Sequence, residues 1–151
     1  MNYVELYQAI QDYAESSEQL FVDNISTFVR QAEDRIYNSV QIPALRKNVT
    51  GTLSAGNKYL SAPEDYLSTY SLAVIDGTNY EYLLNKDVNF IRAAYPSTAA
   101  ADYGLPRYYA LFGPQYTLTN ELSFILGPTP DAGYTVEMHY FYYPTSIVQG
   151  A

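Results

Sequence analysis

The spacing of apolar residues changes once along this chain, close to Pro43, and the change divides it into a helical part followed by a β-rich part. Val4, Leu6, Tyr7, Ile10, Tyr13 and Ala14 recur at helical intervals, which lays an apolar stripe along a first helix. Phe28, Val29, Ala32, Ile36 and Val40 do the same on a second, with Arg30, Glu33 and Asp34 turned outward. Asp23 or Asn24 is the expected cap of that second helix, because a short polar side chain satisfies the free amides of a first turn. Pro43 has no amide hydrogen and stops it. Residues 1–43 therefore read as an antiparallel helical hairpin, or as two helices bridging neighbours.

Beyond Leu45 the pattern is that of short strands. Residues 49–53, 58–60, 69–75, 80–84 and 107–112 form such runs, and Asp76-Gly77 is a hairpin turn between two of them. Asn85 or Asp87 is placed to cap a short helix over residues 88–94, which Pro96 ends, and residues 97–104 read as a loop. The expected fold class is α+β: a helical hairpin (1–43), then an antiparallel β-rich domain (44–151) of six or seven strands with one short inserted helix, all in one compact unit. No internal repeat is visible.

Residues 121–144, ELSFILGPTPDAGYTVEMHYFYYP, read as a β-hairpin with a sticky exposed side. Leu122, Phe124 and Leu126 fall on one face of the first run, and Glu121, Ser123 and Ile125 on the other. In the loop, Pro128 and Pro130 fix φ and remove donors, while Gly127 and Gly133 supply backbone freedom. In the second run Val136, Met138, Tyr140 and Tyr142 alternate with Glu137, His139, Phe141 and Tyr143, so neither face is cleanly polar. Such a strand is covered on both sides, by its own domain or by another subunit. Tyr140, Tyr142 and Tyr143 are the candidate interface residues.

Composition supports contact surfaces over chemistry. Of 151 residues, 48% are hydrophobic, only 16% are charged, and 18 are Tyr, a side chain that buries a large ring yet keeps a hydroxyl to bond. The net charge is −8 and unevenly placed: residues 1–29 hold Glu5, Asp12, Glu15, Glu18 and Asp23 with no Lys or Arg, and every basic residue lies between Arg30 and Arg107. Such a surface repels phosphate and argues against tight nucleic-acid binding. With no cysteine, a disulfide framework and thiolate metal sites are excluded. The N-terminus lacks a basic start with an apolar run, and nowhere do 18 apolar residues occur together, so a soluble cytoplasmic product is expected.

Catalytic patterns are missing. His139 is the sole histidine, and with Glu137 it lacks a third metal ligand, so packing or a surface hydrogen bond is the expectation. Glu64 and Asp65 are adjacent carboxylates after Pro63, but neighbouring side chains in a turn diverge, which favours a loop or helix start over acid and base work. The glycines of residues 51–56 are followed by Asn57 and read as a hairpin tip, not a phosphate loop. Asn24-Ile-Ser26 and Asn48-Val-Thr50 fit a glycosylation pattern too short to carry weight. No cofactor, metal or enzymatic activity is expected.

Residues 104–112 (GLPRYYALF), 121–131 and 134–144, with FVRQAEDRIY at 28–37, together resemble the head-to-tail adaptor proteins of short-tailed bacteriophages. The resemblance implies a structural virion protein in the neck or tail, assembled in the host cytoplasm. It would form a ring of twelve copies between the portal protein and a tail tube or nozzle protein, with double-stranded DNA passing through unbound. Members of that family continue past the tyrosine-rich strand with further helices that dock on the portal; this chain reaches Gly150-Ala151 without them, so they are expected to be absent. An inner wall carrying Glu5, Asp12 or Asp23 would let DNA pass without sticking. A ring needs two different patches on each subunit, which the aromatic and uncharged polar residues supply. The alternative is a tyrosine-rich β-domain that stacks on the sugar rings of a carbohydrate.

Overall fold

The computed structural model describes residues 1–114 and 121–150. It has the expected α+β content, divided into two compact units: residues 1–45 together with 143–150, and residues 46–142. The final residues thus cluster with the helices, not with the β-rich domain as the sequence reading had placed them.

In the helical unit, α1 (Tyr3–Ala14) opens on a capping box: the Asn2 side chain accepts from the Glu5 amide at 2.9 Å, and the Glu5 carboxylate accepts from the Asn2 amide at 3.0 Å. It ends at Glu15, whose φ of 48° is left-handed. The second helix, α2 (Gln19–Ser39), starts earlier than expected, at Glu18. Asp23 and Asn24 lie inside it and are not caps. Their side chains are held one turn back, Asp23 by Gln19 at 2.7 Å and Asn24 by the Leu20 carbonyl at 2.7 Å. Ile25 and Val29 are the buried residues of α2, and α1 has none. The returning segment ends in one 3-10 turn (Ile147–Gly150), where the Ile147 amide donates to Glu33 at 2.9 Å and Tyr143 meets Tyr37 edge-on at 5.4 Å.

The β unit contains, in order, β1 (Arg46–Thr52), β2 (Tyr59–Ser61), β3 (Tyr66–Asp76), β4 (Asn79–Tyr82), β5 (Leu84–Asn85), α3 (Val88–Ala94), β6 (Tyr108–Pro114), β7 (Leu122–Gly127) and β8 (Thr135–Tyr142). The eight strands form two sheets, ordered β1-β8-β3-β4 and β2-β7-β6-β5. All pairs are antiparallel except β5 with β6, which run parallel. Leu72, Val74, Val136, Met138 and Tyr140 of the first sheet meet Tyr109, Phe124 and Leu126 of the second in one core. On the far side of the second sheet, Ile91 of α3 packs on Ala110 and Ile125. The β unit is therefore three layers deep: sheet, sheet, helix.

Local signals held where they were strongest. Asp87 caps α3 by accepting from the Asn89 amide at 2.8 Å, and Gly77, at φ 61°, turns β3 into β4. Pairing did not follow sequence order. The expected hairpin of residues 121–144 is absent, because β7 and β8 belong to different sheets. Neither face of β7 is exposed: Ser123, Phe124, Ile125 and Leu126 are all buried, so the strand needs cover from the first sheet on one side and from α3 on the other. The linking loop crosses between sheets. Its carbonyls accept from elsewhere: Thr129 from Gly104 at 2.9 Å, Pro130 from Gly56 at 2.8 Å and Tyr134 from Leu53 at 2.8 Å. Pro128 and Pro130 cannot donate to a ladder, and the Gly127-Pro128 bond is cis.

Gly127 is needed for space, not for freedom. A Cβ there would lie 2.7 Å from Cδ2 of Tyr95 and 2.9 Å from Cγ2 of Ile91. Residues 51–56 are likewise not a hairpin tip: Gly51 and Thr52 close β1, and the chain from 53 to 58, with Gly56 at φ 77°, crosses to β2 in the other sheet. The run at 80–84 is split: the Leu83 amide still donates to Leu72 at 2.9 Å, while the Leu84 amide turns to Arg107 at 3.0 Å and joins the second sheet.

Candidate functional site

The three tyrosines singled out in the sequence have separate roles. Tyr140 lies on the inward face of β8, 2% exposed, in the centre of the core. Its hydroxyl donates to Asp65 Oδ1 at 2.7 Å, and the other oxygen of Asp65 accepts from Lys47. Burial, and then the bond to Asp65, push the Tyr140 hydroxyl up to about 12. Burial of Asp65 works against its ionisation, but the hydrogen bonds from Lys47 and Tyr140 and the Lys47 charge outweigh it and hold the carboxyl below its ordinary value. Tyr140 is therefore a core residue, and an anchoring role in an interface is withdrawn for it. Tyr142 is half-buried, with Lys47 Nζ 4.1 Å from its ring centre. Tyr143 is half-buried in the other unit, against Tyr37.

The exposed aromatic surface lies elsewhere, on the outer face of the first sheet. Side chains alternate along a strand, so Glu137, His139 and Phe141 point away from the core that holds Val136, Met138 and Tyr140. Registered beside them are Tyr80, opposite Ile75, and Tyr82, opposite Ala73. The two rings lie 6.2 Å apart and 23° from parallel, both exposed. Tyr70 sits where the β3 to β8 register shifts and stands out into solvent, 5.1 Å from His139 and 6.3 Å from Phe141, with the Arg46 guanidinium 4.5 Å from its ring centre. The Tyr80 hydroxyl donates to Glu137 at 3.3 Å, and the Glu137 charge followed by that bond pushes its pKa up. Alternation in Asn-Tyr-Glu-Tyr (79–82) already puts Tyr80 and Tyr82 on one face; that this face is the outer one emerges only with the register.

The helical unit carries a second unfilled surface. Leu6 and Ile10 of α1, Phe28, Val29 and Ile36 of α2, and Ile147 line an open apolar groove of about 630 Å³. Phe28 and Ile36 are half exposed, and Val4, Tyr13, Leu20 and Val40 also face water. Two helices and one turn of returning chain leave much of the apolar stripe uncovered.

The residues considered for chemistry do not converge. His139 meets the edge of Tyr70 at 66°, and Asp65 is tied to Lys47 and Tyr140 while Glu64 is exposed, so the two carboxylates do not act as a pair. Among the described residues no three His, Cys, Asp or Glu side chains gather as a metal site, and no helix is long and apolar enough to cross a membrane.

Compared with known proteins, residues 1–151 match the model of the SU10 adaptor protein family over their whole length. No curated protein matches the chain.

Proposed function

This chain belongs to the SU10 adaptor protein family, and we propose that it is the head-to-tail adaptor of a short-tailed bacteriophage, twelve copies of which form a ring between the portal protein and a tail tube or nozzle protein. Double-stranded DNA passes through the ring without specific binding. The role is structural, not enzymatic, and places the protein in the virion neck after assembly in the host cytoplasm. The observation that carries this reading is the pair of unlike surfaces left open: the apolar groove of the helical unit, and the outer sheet face of Tyr70, Tyr80 and Tyr82 in the β unit. Ring subunits meet their two neighbours through two different patches, whereas a monomer gains nothing by holding either in water. A net charge of −8 keeps DNA phosphates from adhering.

The test is the rotational symmetry of the largest native particle containing this chain, from class averages viewed down its axis. Twelvefold rings stacked on a portal support the reading; monomers alone in virions and lysate overturn it. One observation favours a second reading, carbohydrate binding. Tyr80 and Tyr82 form a flat exposed pair suited to stacking on sugar rings. Micromolar binding on a glycan array by a protein that stays monomeric would select it.

A further inference from the structure

The outer face of the first sheet changes character along its strands. The end that carries Tyr80 and Tyr82 is acidic, since Glu137 accepts from the Tyr80 hydroxyl and Glu81 is exposed on the same edge strand. The other end is aromatic and cationic. The Arg46 guanidinium lies 4.5 Å from the ring centre of Tyr70 and 5.7 Å from that of Phe141, and Tyr70 projects into solvent, 58% exposed. Among the described residues Arg46 has no carboxylate within ion-pair distance. Two rings hold this cation in place, and no anion answers it.

The groove of the helical unit holds the complementary charge. Among the described residues, Glu33 is the one charged side chain in its lining. One oxygen of Glu33 accepts from the Ile147 amide at 2.9 Å, and the other has no hydrogen bond or ion pair among the described residues. Phe28 and Ile36, both half exposed, form apolar walls beside it. Resting on the ring reading above, we infer that the Tyr70 and Arg46 end of one copy's outer sheet face enters the groove of the next copy, with the Tyr70 ring against Phe28 and Ile36 and the guanidinium on the free oxygen of Glu33. Charge selects this end of the face, because the Tyr80 end would bring Glu81 and Glu137 towards Glu33. The ion pair enters an apolar site with other partners already in place, Glu33 on the Ile147 amide and Arg46 on two rings, which limits its desolvation cost. The contact joins two unlike patches and so repeats head to tail. By helical spacing, Asp12 and Asp23 lie on the far sides of their helices from the groove residues and stay outside the contact.

The chain has no cysteine, so Ala32→Cys in the groove and Asn48→Cys, opposite His139 on the outer face, give each subunit two thiols at exposed positions while leaving Tyr70, Arg46 and Glu33 in place. The full chain carrying both is supplied to phage lacking its own copy, and rings released from purified particles are treated with a short bis-maleimide. A denaturing gel should show a ladder of whole multiples of one chain up to the closed ring, and either substitution alone should give single chains. Intact rings that give no ladder, that cross-link only within one chain, or that join like thiols as dimers would overturn the docking while leaving the ring itself. Arg46→Gln and Glu33→Gln, the second of which keeps an acceptor for the Ile147 amide, should each lower ring occupancy about tenfold in protein whose circular dichroism matches the parent's. The double variant should lose no more than either one. Losses that multiply would overturn the pairing, and should a charge variant misfold, the ladder still decides. If the parent chain never forms rings, the proposed function fails first.

Discussion

Replacing Tyr140 with Phe keeps the ring and deletes one oxygen, which isolates the bond between the middle of β8 and Asp65. The bond is 2.7 Å long, it ends on a carboxylate, and its donor is 2% exposed. Hydrogen bonds to charged groups contribute roughly 1.5–3 kcal/mol. Asp65 would still hold Lys47, and its side chain is 31% exposed, so water can reach the vacated oxygen and the loss falls to about 1–2 kcal/mol. For a unit of this size that lowers the melting temperature by roughly 4–16 °C. The pH dependence has a definite sign. Because the folded carboxyl of Asp65 titrates below its ordinary value, its stabilisation is present above the unfolded value and fades as pH falls through the folded one. Urea denaturation followed by circular dichroism should give a larger gap between parent and variant at pH 7 than at pH 2. A gap under about 0.3 kcal/mol at pH 7, or one of equal size at both pH values, would refute the assignment.

Other changes test neighbouring parts of the molecule. Parent stability should fall as pH rises from 10 towards 12, since Tyr140 and Tyr134 keep their protons longer folded than unfolded; thermal melts across that range check it, and Tyr140→Phe should flatten the slope. Gly127→Ala forces a methyl against Tyr95 and Ile91 and should cost about 1–3 kcal/mol, read in the same melts. Tyr142→Ser should reduce ring occupancy more than it reduces melting temperature; equal losses would make Tyr142 a folding residue like Tyr140.

What the sequence disclosed were features decided within a few residues. The bounds of α3, its cap and the Asp76-Gly77 turn depend on local backbone chemistry; the helix and the turn are as read, and of the two caps offered, Asn85 and Asp87, it is Asp87 that caps. The error over the hairpin was one of partner choice. Alternation gave both β7 and β8, but Ser123 and Ile125, read as one half of a two-faced strand, are as buried as Phe124, and a doubly covered strand must find partners far away in sequence. Tyr140 illustrates the same limit: its parity with Val136 and Met138 was visible, whereas the inward sense of that face depended on a second sheet built from other segments. The open surfaces were the least legible, because Tyr70 stands at a register shift and the groove draws its lining from α1, α2 and Ile147 far along the chain.

Since residues 143–150 cluster with the two N-terminal helices, residues 46–142 are an insert within a discontinuous helical frame. On the ribosome the frame's first pieces emerge earliest yet wait longest, as the Ile147 amide that bonds Glu33 appears more than a hundred residues later. The insert, whose strands all pair with one another, can finish first. The apolar groove is then the last surface to take shape, so a chain still being synthesised presents no completed groove to its neighbours.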